Sequence, residues 1–273
     1  MSFFFTNKIR FTIIFLILFL IPKTNAAIPP EFKNFQWKTG DVIGVSELFY
    51  DWTTFFFEAA TGSRYGHVGI ISVEAKGIYV FEENDPHAQK TDLDTFLSRA
   101  VKDPVTKKTL ATVMRPRRAL VKAEVDKLLA TAKWAVDKKI PYNYSQMMND
   151  KSLNCSEFVH AVYKTIGWQL GQIEKLGDLN VDAFSGLILK GWEYEAGKVN
   201  LNNLVLSPMS VMRSPQLYPV YGNLPLTYMS DFQIYTMWKS EGFIEHLSDE
   251  TSIPAFLFNF VGSRSSQTPW RKN

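Results

Sequence analysis

The chain has 273 residues, is 46% hydrophobic and 14% aromatic, and carries a formal charge of +3. That composition is far from disordered and supplies one sizeable core, as one domain with elaborations or, at this length, two. The excess charge equals Lys8, Arg10 and Lys23 near the N-terminus; without them the chain is about neutral, which removes the electrostatic basis for binding nucleic acid.

Lys8 and Arg10, an apolar run from Phe11 to Ile21, and Thr24-Asn25-Ala26 with small residues at the cleavage positions have the order of an export signal. The run is too short for the ~20 residues that span a bilayer, and no second run of that length follows; a short uncleaved anchor is the alternative reading. Residues 1–26 therefore read as a signal peptide. The mature chain is expected to begin at Ala27, to lack a stable membrane span, and to be exported to the periplasm or the cell exterior.

Gly40-Asp41 opens an apolar segment, Val42 to Val45, suited to a buried strand. Leu48 to Ala60, rich in Phe and Trp, has helical length and ends at Thr61-Gly62-Ser63. His67 to Val73 and Gly77 to Glu82 read as two strands of a hairpin, and Thr91 to Arg99 as a short amphipathic helix on Leu93, Phe96 and Leu97. Thr112 to Arg115 is a further strand, stopped by Pro116. Ala119 to Lys138 has helical spacing, with Pro141 as its stop, and Pro141 to Tyr144 is a loop. A helix headed by Cys155 runs to about Gly167. From Gly171 to Gly222 the pieces are short, and Ser207-Pro208 and Ser214-Pro215 favour extended connections over packed helices.

Cys155 is the single cysteine, so in an exported protein it has no internal disulfide partner and is either inert packing or the chemistry. Asn154 is a good N-cap and Glu157 stands three residues on, which puts Cys155 in a first turn whose free N–H groups favour an anion. Thiols at helix N-termini beside an imidazolium are acidified. The same cysteine shares a helix face with Val159, Val162 and Ile166, as a core residue would. A thiolate nucleophile needs a base. His160 lies too far around the same helix, while His87 and His246 have no framed position. His67 begins an apolar strand after Arg64-Tyr65-Gly66, where it is either a polar edge or a rigidly held base.

Tyr65-Gly66-His67-Val68-Gly69-Ile70, Val80-Phe81-Glu82, Pro141-Tyr142-Asn143-Tyr144 and Asn154-Cys155-Ser156-Glu157-Phe158-Val159, in that order, resemble the circularly permuted papain-like family of YiiX and YebB. This family lies within the NlpC-type superfamily that includes lecithin:retinol acyltransferase. The resemblance begins near Trp37 and reaches Ser214-Pro215-Gln216-Leu217. It implies an α+β fold, a small antiparallel sheet or barrel with the nucleophile helix packed against it. Residues 27–225 would form the catalytic domain and 226–273 a C-terminal extension packed on it. It further implies Cys155 as nucleophile, His67 as base and Glu82 as the residue that orients the imidazole. One independent point agrees: Glu82 continues the alternation of Ile78 and Val80, so its carboxylate points to the core and needs a partner.

Gly66, Glu83 and Asn143 depart from the family pattern, which commonly has serine, a small residue and aspartate there. Glu83 is expected to face away from His67 and to stay out of the chemistry. The implied function is an exported cysteine amidase or peptidase that forms an acyl-enzyme on a cell-envelope amide or peptide. The Cys155 N–H would be one oxyanion donor, and Tyr142 or Tyr144 a second. The alternatives are an acyltransferase or lipid-ester hydrolase of the same fold, or a non-catalytic ligand-binding module. The expected partner is a small-molecule, peptide or lipid-like acyl substrate. No cofactor or metal is expected, since the chain lacks His-Glu-x-x-His, clustered cysteines and an acidic calcium loop.

Overall fold

The computed structural model describes residues 28–47, 58–149, 151–181 and 199–240. The export segment, His246, most of the helix expected over 48–60 and much of the C-terminal extension lie outside the described residues. The frame is an open six-stranded antiparallel sheet. Its strands are β1 (Val42–Val45), β2 (His67–Glu74), β3 (Gly77–Asn84), β4 (His87–Asp92), β5 (Ala111–Pro116) and, later in the chain, Leu217–Gly222. The spatial order is β4, β3, β2, β1, β5 and then the late strand, with no closure into a barrel.

Helix α1 (Leu93–Ser98) follows β4, α2 (Lys122–Lys138) follows β5, and α3 (Cys155–Lys164) carries the cysteine at its head. Two short strands, β6 (Glu174–Lys175) and β7 (Leu204–Val205), pair with each other. They precede α4 (Pro208–Met212), the edge strand β8 (Leu217–Gly222) and α5 (Asp231–Ser240).

The central strands are buried on both faces, so successive residues feed different cores. Val42, Val68, Ile70 and Phe81 pack with Phe158, Val159 and Val162 of α3. Their alternates Ile43, Val45, Ile71 and Val80 pack with Leu93, Phe96 and Leu97 of α1. This two-sided arrangement explains why β1 reads as a short continuous apolar run and not as an alternation.

Three elements differ from the sequence expectation. His87–Asp92 is a strand, and the helix begins at Leu93 and not at Thr91. Only Ala88 of this segment is buried, so its strand character comes from the ladder it forms with β3 and not from an apolar period. Ser207-Pro208 opens the fully buried α4 and is not an extended connection. Ser207 Oγ accepts the Ser210 N–H at 3.2 Å, and proline is favourable at the first helical position, where its N–H is not needed. Beyond Ser214-Pro215 the chain forms β8, whose edge position tolerates Pro219. On α5, Ile234 and Trp238 are buried and the Trp238 indole N–H donates to Glu58 at 2.6 Å.

Close approach of β2 to β3 requires a residue without a side chain at Gly69. A Cβ there would stand 2.4 Å from Val80 Cγ1 and 3.0 Å from the Phe81 carbonyl. Gly69→Ala should therefore lower the unfolding free energy by about 1–3 kcal/mol in urea titration. Gly66→Ala, whose Cβ would meet nothing closer than 3.4 Å, should cost less.

Candidate active site

The head of α3 is held by a reciprocal cap. Asn154 Oδ1 accepts the N–H groups of Ser156 and Glu157, each at 2.9 Å, and Glu157 Oε2 accepts the Asn154 N–H at 2.7 Å. The cap uses the second and third N–H groups of the helix and leaves that of Cys155. Asn143, where the family pattern has aspartate, donates its amide to Glu157 at 3.4 Å and to the Met147 carbonyl at 2.7 Å. An aspartate there would set a second carboxylate against Glu157, whose own proton affinity burial already raises.

His67 is the first residue of β2, opposite Val45 of β1. Gly69 is paired with Glu82, so His67 and Glu82 are diagonal neighbours on one face of the β2–β3 pair. Their side chains meet at 2.6 Å between Nε2 and Oε2, both fully buried. The ring of Phe96 lies 5.6 Å from the imidazole between centroids. Glu82 also accepts from the Thr91 hydroxyl at 2.5 Å and from Arg99 at 2.5 Å. A further carboxylate, Glu47, stands 3.6 Å from Nδ1 of His67 and 2.9 Å from Nε of Arg99.

These contacts decide the protonation states. Burial alone would strip the His67 proton. The negative charge of Glu47, the nearby Cys155 and the hydrogen bond to Glu82 outweigh it and hold the imidazole's proton affinity well above the ordinary value. Burial opposes the charge on Glu82 as well, yet His67, Arg99 and Thr91 bring its pKa down to about 2. The stabilisation from His67 is thus present at low pH and lost as pH rises through its raised folded value. That from Glu82 is present above 4.5 and lost as pH falls toward about 2.

Among the residues expected at the site, His67 and Glu82 are joined directly, and Cys155 heads the helix that packs on the strands carrying them. The two tyrosines are turned to other partners. Tyr144 is 66% exposed and its hydroxyl donates to Asp85, while Tyr142 Oη accepts from Gln146 at 3.1 Å. Glu83 does face away from Glu82, but that side is not solvent. It is fully buried against the Cys155 side of the sheet, and burial followed by the cysteine's negative charge pushes its pKa up to about 9. Alternation gives the side on which Glu83 lies, as expected from the sequence, and only the packing of α3 gives what is on it.

His160 is buried on α3 with Nδ1 donating to the Leu170 carbonyl at 2.7 Å, and His87 Nδ1 donates to the Ala88 carbonyl at 2.9 Å. Glu47, Thr91 and Arg99 were missed. Arg99 carries a faint signal, three residues beyond Phe96 on the apolar side of α1, whereas Glu47 merely follows an apolar strand.

Residues 36–221 match a family of permuted papain-like amidases, YaeF/YiiX, C92 family. The chain belongs to it. It is 30% identical over 196 residues, 70% of this chain and 91% of the relative, to the uncharacterized protein YiiX of Escherichia coli K12. It also resembles the crystal structure of YiiX from Escherichia coli O157:H7, with TM-score 0.61 and 28% identity, covering 70% of this chain and all of that one. That structure is described as a metalloprotein. Here, no group of three or more His, Cys, Asp or Glu among the described residues is placed to hold a metal ion, and Arg99 bridges Glu47 and Glu82 where a cation would stand. The donor set does not fit a metal. Membership in the family makes the chain a papain-like cysteine hydrolase by class.

Arg99 is the cation that two buried carboxylates share, with its own side chain 26% exposed. Arg99→Met should cost about 3 kcal/mol, as does removing one partner of a buried pair. The deficit should be largest at neutral pH. It should shrink as pH falls toward about 2, where Glu82 takes up its proton and no longer needs a counter-charge; urea midpoints at the two pH values check it.

Proposed function

We propose that this chain is an exported cysteine hydrolase of amidase or peptidase type, acting through an acyl-enzyme on an amide or peptide of the cell envelope. The observation that carries the reading is a buried imidazole hydrogen-bonded to Glu82, in a sheet against which the helix headed by Cys155 packs, with a cap that leaves the Cys155 N–H.

In this reading His67 takes the thiol proton and keeps it, because its surroundings favour the imidazolium. The sulfur attacks the substrate carbonyl, an S–C bond forms, and the oxygen takes up the electron pair beside the Cys155 N–H. Collapse breaks the bond to the leaving group, which receives the proton from His67. Neutral His67 then takes a proton from water, the hydroxide attacks the thioester, and the thiolate returns. Glu82 holds one ring nitrogen so that the other faces sulfur. Export supplies the envelope part of the reading and rests on residues 1–26. Among the described residues no helix is long and apolar enough to cross a membrane.

Iodoacetamide should label native Cys155 even below about pH 7, and His67→Ala should move the labelling profile upward. Labelling only after unfolding would make Cys155 a core residue and sink the hydrolase reading. The rate of acyl-enzyme formation should fall on the order of 10⁴-fold in Glu82→Gln with folding retained, by analogy with an Asp→Asn change in a triad. The adduct on Cys155 after exposure to envelope extract should be a peptide-type acyl group. A fatty acyl mass would move the substrate class to lipid, and no adduct would leave a binding module. N-terminal sequencing of the exported protein should begin at Ala27; a cytoplasmic protein beginning at Met1 or Ser2 would remove the envelope substrate.

A further inference from the structure

Glu83 stands across from Ala88 on β4, and Ala88 packs in the cluster that contains Cys155, Phe158 and Val159. Its side chain therefore lies on the α3 side of the sheet, opposite to that of Glu82. It is fully buried, and neither carboxyl oxygen has a hydrogen-bond partner. Among the described residues no Lys, Arg or His forms an ion pair with it. A lone carboxylate in such a place costs several kcal/mol, so the group is a neutral carboxylic acid, whose O–H has no acceptor in the free protein.

From α3, Glu157 Oε2 is taken by the Asn154 N–H and the Asn143 amide, and its Oε1 has no hydrogen-bond partner. From β2, His67 is held by Glu82, and on β3 Glu82 itself is held by His67, Thr91 and Arg99. The facing residue of β4 is the uncharged Ala88, and His87 beside it donates to a backbone carbonyl. On this side of the sheet the group that the proposed chemistry charges is Cys155, in the cluster that holds Ala88. The proposed mechanism also has an unfilled place there, since the two tyrosines considered as second oxyanion donors are turned to other partners.

We propose that Glu83, as a neutral carboxylic acid, is the second hydrogen-bond donor beside the nucleophile, serving the charge that develops on the substrate oxygen. This rests on the acyl-enzyme reading above. Glu83 gives up no proton: the S–C bond forms, the carbonyl electron pair moves to oxygen between the Cys155 N–H and the Glu83 O–H, and the pair returns as the leaving group departs. The donor survives at neutral pH because burial and the cysteine's charge raise its pKa to about 9, and it is lost above that value.

The test is the acylation burst with p-nitrophenyl acetate followed against pH, with Cys155→Ala as background. Wild type should slow as pH rises through about 9. Glu83→Ala should slow the burst at neutral pH by up to about 10²–10³-fold, the range for removing one oxyanion donor. Glu83→Gln, which keeps a donor that cannot ionise, should recover most of that loss and lack the alkaline fall. Infrared difference spectra of wild type against Glu83→Gln should show a protonated-carboxyl band at neutral pH that disappears above about 9, which keeps the idea testable if Glu83→Ala does not fold. A wild-type burst unchanged in both variants, an alkaline fall that persists in Glu83→Gln, or the absence of the band would overturn the role of Glu83 alone. A wild type with no burst overturns the hydrolase reading and the donor with it.

Discussion

The hydrogen bond from His67 to Glu82 across the β2–β3 pair is the contact around which the rest of the site is arranged. It joins a residue at the first position of one strand to one near the end of the next, so it exists only if the ladder is in register. Gly69 secures that register by letting the strands close where any larger residue would meet Val80. A slip of one residue would exchange Glu82 for Glu83 and turn every side chain of the strand to the opposite core.

Charge is then distributed by face. On the α1 side, His67, Glu82, Glu47 and Arg99 form a buried cluster in which each ion has an opposite neighbour, and Arg99 reaches it from the end of the helix that follows β4. On the α3 side there is a thiol, a helix start and a carboxyl with no counter-ion. The same residue type thus takes opposite states at adjacent positions: Glu82 is driven down to about 2 by its cationic and hydrogen-bonding partners, and Glu83 up to about 9 by burial. Two carboxyl groups held in different protonation states next to one nucleophile can divide the work of orienting a base and donating a hydrogen bond.

The helix that carries the cysteine is fixed independently of that sheet. Its cap uses Asn154 and Glu157, and Glu157 is in turn held by Asn143 from the preceding loop, so the loop and the helix start form one buried polar unit. The rigidity of this unit, together with the apolar face of Phe158, Val159 and Val162, sets where the sulfur stands. A nucleophile positioned by a cap keeps one backbone N–H pointing out of the helix, which is the geometry an oxyanion uses.

Local chemistry by itself determined much of this protein. The capped start at Cys155, the apolar β1 and β2, the hairpin to β3 and the side on which Glu82 lies all follow from spacing and cap residues a few positions apart. The family pattern was legible in the same short stretches. What only the tertiary structure decided lies where the cause is distant in sequence. β4 and β8 are strands because a neighbour offers a ladder, α4 is a helix because its five residues are buried, and Arg99 and Glu47 join His67 from separate elements. Glu83 shows the difference most sharply. Alternation tells which way it points, but whether that direction holds water or a nucleophile is set by a helix more than seventy residues away, and it is that burial which makes it an acid and not a charge.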